Sequence, residues 1–242
     1  MSVLALTLAL AVGQPSLDHA RELFRGKQFD QAIKELKQLP PQPEVLKLLG
    51  LSYQMSDEMG EAARVLERSA KAYPSDAEGF FFLGRVYYLL DFHDKAEAAL
   101  RRAVTLNPND PRARDLMGLT LEALVQPEAA EKEYRAAIAH SERAEPFRHY
   151  GALLLKQGRF KEAEIQLRQA LRRDPKDWES CFELAKLYLQ IDRATDALDE
   201  VRAALAANPK EPARVYYLKA RIHYALGQEE EAREAARRIE NK

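Results

Sequence analysis

The stretch Gly79–Leu90, GFFFLGRVYYLL, places five aromatic side chains and a single charge, Arg85, within twelve residues. A helix that crosses a bilayer needs about 20 apolar residues, and this run carries an arginine and stops at Asp91. Its apolar surface must therefore be covered by protein. The surrounding chain is suited to that. It has 242 residues, 46% of them hydrophobic, with 31% charged residues of both signs and a formal net charge of -1. This is the composition of a globular or stacked protein, not of a disordered one. The charges alternate along the chain, as in Lys34-Glu35-Leu36-Lys37 and Glu131-Lys132-Glu133, which marks solvated helix faces. Balanced charge gives no electrostatic case for a nucleic acid or an anionic bilayer as partner.

Cys181 is the only cysteine, so an intramolecular disulfide, a multi-cysteine zinc site, an iron-sulfur cluster and a lipoprotein anchor are excluded. The five histidines, His19, His93, His140, His149 and His223, stand in no metal-ligand spacing. No glycine-rich phosphate loop occurs, and carboxylate pairs such as Asp57-Glu58 fall at turns or helix starts, where acids favour the helix dipole. No catalytic residue, metal, cofactor or small-molecule substrate is expected on these grounds.

Residues Ser2 to Gly13 are uncharged and mostly apolar and end in small residues. Residues 1–13 read as a secretory signal, which places the mature chain in the periplasm or outside the cell, although basic residues before the apolar core are missing. The alternatives are an uncleaved segment, Val3 to Val12, that tethers an adaptor to the membrane, and a cytoplasmic chain with a frayed apolar helix. Ten residues are short for a span.

The internal period decides the architecture. Gly50, Gly84, Gly118 and Gly151 are separated by 34, 34 and 33 residues, and Pro74–Pro108 and Pro175–Pro209 are each 34 apart. A fixed period of this size means that one supersecondary unit is repeated and stacked. Around the glycines one copy reads Phe80-x-x-Leu83-Gly84-x-x-Tyr87, then Ala96-x-x-x-Leu100 and Pro108. The same places hold Leu46, Leu49, Gly50, Tyr53, Ala62, Leu66 and Pro74; Phe147, Tyr150, Gly151, Leu154, Ala163, Leu167 and Pro175; and Cys181, Leu184, Ala185, Tyr188, Ala197, Val201 and Pro209. Copies around Gly118 and Gly227 lack the closing proline, and the first, with Ala20, Ala32 and Leu36, is short.

This pattern resembles the tetratricopeptide repeat, a helix-turn-helix of 34 residues. The resemblance implies an all-α fold, an α-solenoid wound as a right-handed superhelix of about seven such hairpins. A single repeat domain over 14–242 is expected. It also implies a non-catalytic interaction scaffold whose first helices line a concave face that takes a protein or peptide partner. On those helices a basic residue recurs between apolar or aromatic ones, as Phe81-Arg85-Tyr88, Phe182-Lys186-Leu189, Tyr217-Arg221-Tyr224 and Leu17-Arg21-Phe24, with Arg148 at the first place of the fifth copy. Phe81, Arg85, Tyr88, Arg148, Phe182, Lys186, Tyr217, Arg221 and Tyr224 are the candidate partner-binding residues. They suit a peptide with acidic and apolar side chains. The same composition also arises if the arginine stems lie on apolar surface and the rings pack between repeats. The asparagines (Asn107, Asn109, Asn208 and Asn241) fall outside the first helices, so the clamp by which some relatives hold a chaperone's carboxylate tail is not expected.

Overall fold

The computed structural model describes residues 15–240, so the secretory segment read at 1–13 lies outside it. Among the described residues there are fourteen α-helices and no strand. They form seven hairpins. α1 (Leu17–Arg25) pairs with α2 (Phe29–Leu36), α3 (Pro43–Met55) with α4 (Met59–Ala72), and α5 (Ala77–Leu89) with α6 (His93–Leu106). They are followed by α7 (Pro111–Ala123) with α8 (Pro127–Ile138), α9 (Glu145–Lys156) with α10 (Phe160–Arg173), α11 (Trp178–Gln190) with α12 (Ala194–Ala206), and α13 (Pro212–Ala225) with α14 (Glu229–Glu240). The fold is an all-α solenoid of helix-turn-helix repeats. Two compact units divide it, one ending at Pro108 and one starting at Asn109.

Within each unit a first helix packs on its own second helix, and that second helix packs on the next first helix. Successive first helices also touch, α1 to α3 and α3 to α5 in the first unit, α7 to α9, α9 to α11 and α11 to α13 in the second. A first helix thus has protein on several sides, which is why α5 tolerates its run of aromatics. Phe81, Leu83, Gly84, Val86 and Tyr87 are buried, while Phe82 and Tyr88 are half-buried against the same core.

The repeated glycine marks where the two helices of a hairpin approach most closely. A Cβ added at Gly50, Gly84 or Gly151 would lie 2.7, 2.6 and 2.7 Å from the Cγ of Leu66, Leu100 and Leu167. At Gly118 the Tyr134 ring takes the leucine's place. The sixth repeat has Ala185 and Val201 at these two places, an added methyl on one helix beside a shorter side chain on the other.

The hairpin turns share one conformation that the sequence pattern shows in only two of them. Lys27, Asp57, Asp91, Val125, Gly158, Asp192 and Gly227 all have positive φ, between 59° and 74°. In every turn the amide of the following residue donates to the carbonyl five residues back, as Phe92 to Tyr87 and Gln126 to Leu121, both at 2.9 Å. The left-handed residue itself donates three residues back, as Val125 to Glu122 at 3.0 Å. This is the Schellman closure, which satisfies the carbonyls left open at a helix end. Gly158 and Gly227 adopt it without cost; Val125, β-branched and 84% exposed, does not. At the other end of three repeats proline acts on the residue before it. Tyr73, Asn107 and Asp174, ahead of Pro74, Pro108 and Pro175, are driven out of the helical region to φ near -130° and end α4, α6 and α10.

Two outcomes test this account. Gly84→Ala is expected to destabilise the protein by about 2 kcal/mol in urea unfolding, against the roughly 1 kcal/mol gain that alanine brings to an open helix site. Adding Leu100→Val, which copies Ala185 and Val201, should recover part of that loss. Val125→Gly should raise stability by about 1 kcal/mol, because it relieves left-handed strain and gives up no packing.

Candidate functional site

The first place of the recurring triplet lies at the same register in successive first helices, and the structure uses it to join repeats. Lys47 on α3 reaches the start of α5, with Nζ 3.0 Å from Glu78 Oε2 and 3.6 Å from Asp76 Oδ2. Arg148 on α9 reaches the start of α11 in the same way, with Nη1 3.3 Å from Asp177 Oδ1 and also bonded to Glu179. Asp76 and Asp177 are the N-caps of α5 and α11. Burial alone would lower the pKa of Lys47, but the Glu78 bond and the charges of Asp76 and Glu78 outweigh it, and the net shift is upward. The ammonium is therefore held charged. A third link joins α7 to α9, where His149 Nδ1 lies 2.9 and 3.0 Å from the two oxygens of Asp115.

At two of the three aromatic occupants of that place, Phe81 and Phe182, the ring is covered by cations. Phe182 is buried beneath Arg214, whose guanidinium lies 5.2 Å from the ring centre, and Lys186, with Nζ at 5.7 Å; the Trp178 ring packs against it in a T-shaped arrangement with the ring centres 6.4 Å apart. Phe81 is buried likewise, and Arg85 lies 6.0 Å from its ring and 5.1 Å from that of Phe82 while donating to Gln54 Oε1 at 2.7 Å. Beside Phe182 is a pocket of about 160 Å3 whose lining includes Arg148, Ala152, Trp178, Glu183 and Arg214.

The candidate residues thus divide into three groups. Phe81, Phe182 and Arg148 are buried and pack or pair within the chain. Arg85, Tyr88 and Lys186 are half-buried and engaged: Lys186 bonds Glu183 at 2.6 Å, and the Tyr88 ring lies 5.7 Å from that of His93. Only α13 presents its whole triplet to solvent. Tyr217 and Tyr224 are 59% and 58% exposed, and Arg221 is exposed between them, 6.0 Å from the Tyr217 ring. Arg221 pairs with no carboxylate among the described residues. α14 follows α13 in the chain, and among its described residues Ala232 and Ala235 are buried.

Trp178, Arg214, His149 and Asp115 belong to this face and were not singled out from the sequence. A signal for such links is present: Lys47 to Glu78 and Arg148 to Glu179 are both 31 residues, one repeat less three. Cys181 and His223 lie in the core, the latter with Nδ1 2.7 Å from Gln228 Oε1.

Models described as tetratricopeptide repeat match residues 48–111 and 116–177, 154–222, and 213–239. The chain belongs to the tetratricopeptide repeat family. No curated protein matches it in sequence. Among solved structures of repeat proteins, PilW, described as a widely conserved type IV pilus biogenesis factor, is similar with a TM-score of 0.76 at 21% identity, over 81% of this chain and 91% of that one. PilF of Pseudomonas aeruginosa gives 0.72 at 18% identity, over 81% and 90%. YrrB, described as having an unusual peptide-binding site, gives 0.56 at 19% identity, over 75% and 93%. At these identities the likeness is one of repeat fold.

The thiol at the repeat's aromatic place offers a check on the core next to this face. Burial pushes Cys181 up to about 12, with the charges of Glu200 and Asp177 adding to it. On the order of 10⁻⁴ of the thiols are then ionised at pH 8, and the thiolate is the reactive form. Cys181 in the native protein should resist a thiol reagent at that pH while the urea-unfolded chain is labelled completely; rapid native labelling would show that α11 is not packed as described.

Proposed function

We propose that the chain is a non-catalytic scaffold that holds a segment of a partner protein on the first-helix face of its second unit, with α13 as the main contact. The carrying observation is the exposed Tyr217-Arg221-Tyr224 ladder with its uncommitted guanidinium. Tyrosine and arginine are the side chains that dominate binding energy when a partner excludes water from them. The other cations of the face are already bonded within the chain: Arg148 to Asp177 and Glu179, Lys186 to Glu183, and Arg214 to Glu211 at 2.7 Å. A carboxylate of the partner therefore finds its open donor at Arg221, as a bidentate, charge-assisted pair. Apolar side chains on either side of that acid would cover the two tyrosines, and the pocket beside Phe182 has room for one more.

This reading includes export. The apolar start of the chain supports a periplasmic or secreted setting, and PilW, the type IV pilus biogenesis factor among the structural neighbours, supports an envelope assembly as the context. A peptide as the bound form is supported by the peptide-binding site described for YrrB. A non-catalytic role is supported by the tetratricopeptide repeats matched along the chain.

Selection of displayed random peptides on the purified protein should enrich sequences with an acidic residue between apolar ones. Arg221→Glu together with Tyr217→Ala should weaken the selected peptide at least tenfold, about 1.4 kcal/mol, without change in the helical circular dichroism. Undiminished affinity in that variant overturns the assignment to α13. The mass of the protein from its own host, short by about the first 13 residues, would support export; an intact amino terminus would overturn it.

A further inference from the structure

The second helices carry a separate anomaly, on α10. Lys161, Ile165, Arg168 and Arg172 follow one another at spacings of four, three and four residues, so they form one stripe along the helix. All four are exposed, Ile165 at 58%, and Ile165 is the one large aliphatic side chain exposed on a second helix among the described residues. At the same register the other second helices have Lys34, Arg64, Ala98, Lys132, Asp199 and Glu234, all polar or small.

The cation at the start of the stripe is equally out of pattern. Lys161 is in the first turn of α10, where the helix dipole favours an acid. The equivalent places in α2, α6, α8 and α14 hold Asp30, Asp94, Glu128 and Glu230, and those in α4 and α12 the uncharged Gly60 and Thr195. Arg168 is committed, with its guanidinium 2.6 Å from the Tyr188 hydroxyl, 3.4 Å from Glu164 and 3.7 Å from Glu200. Lys161 and Arg172 have no hydrogen-bond or ion-pair partner among the described residues. A hollow of about 390 Å3 runs along the stripe, lined by Lys161, Glu164, Ile165, Arg168, Gln169 and Arg172.

We propose that this stripe is a second docking surface, independent of α13, and that its occupant is an acidic amphipathic helix of a partner protein. Charge complementarity identifies the occupant. Two open cations lie about one and two turns on either side of an exposed isoleucine, so the matching surface has carboxylates one or two turns to either side of an apolar patch. A nucleic acid would leave Ile165 uncovered and would meet Glu164 and the exposed Glu162. Both departures lie against local stability, since an acid at 161 and a polar side chain at 165 would serve the free helix better.

The test exploits that opposition. Lys161→Glu with Ile165→Lys makes α10 resemble its sister helices, so its urea midpoint should equal or exceed that of the parent. The probe is a fluorescein-labelled synthetic helix of leucine and glutamate, with its leucines on one stripe flanked by glutamates, followed by fluorescence anisotropy. The parent should bind it with micromolar affinity that falls as salt rises, and the double variant should lose at least tenfold. The loss caused by the α10 substitutions should be the same in the parent and in an Arg221→Glu background, which removes any contribution of α13 to probe binding. The proposal is overturned if the parent fails to bind the probe, if the α10 variant binds it as tightly as the parent, or if Arg221→Glu removes the binding; that last result would leave the α13 reading intact. Equal loss of binding to phosphatidylglycerol vesicles, or concentration-dependent self-association abolished by the α10 variant, would assign the stripe to a lipid surface or to a second copy and overturn it as well.

Discussion

Four of the seven repeats close on a contact between a side chain and bare backbone. Leu66, Leu100, Tyr134 and Leu167 rest where a Cβ would stand on Gly50, Gly84, Gly118 and Gly151. Removing one methyl group from the first helix lets the second approach to within van der Waals reach of its main chain, and the small residues Ala62, Ala96, Ala130 and Ala163, all fully buried, keep that approach close along the seam. The rest of the hairpin adapts to this distance. The turn must be short and must reverse the chain, and the left-handed Schellman closure does so even where the residue available is Lys27, Asp91 or Val125. Conformational strain at an exposed turn is smaller than the loss of a packed helix pair, so the turn yields.

Joining one repeat to the next uses polar links as well as apolar burial. Lys47 and Arg148 each fasten the N-terminus of the following first helix through its capping aspartate and a glutamate two residues on. These pairs are partly buried and multiply bonded, the circumstances in which an ion pair fixes geometry best. They also spend cations that would otherwise face a partner. The surface we propose for partners is what remains after the repeats have been joined; in the second unit it comprises α13, where Tyr217, Arg221 and Tyr224 are exposed together, and the stripe of α10.

The two surfaces differ in kind. On α13 the aromatic rings are large and amphipathic, and the guanidinium between them is suited to one carboxylate. On α10 a single aliphatic side chain lies among flexible cations, a surface that favours a looser and more salt-sensitive contact. A scaffold with both would bring two partner segments together on one rigid support, through helices of different rank in the repeat.

From the residues alone the repeat length, the hairpin, the closing prolines and the placement of the glycines could all be read, because each follows from local chemistry recurring at 34 residues or close to it. The face of each first helix was legible too, since spacings of four and three residues bring side chains to one side whatever surrounds them. Which of those side chains meet solvent was not. Phe81, Phe182 and Tyr217 occupy equivalent places, yet the first two are buried and the third is 59% exposed. Periodicity assigns a side chain to a direction, whereas its exposure depends on what the neighbouring helices and the arginines beside it cover, and that is settled only when the repeats are stacked.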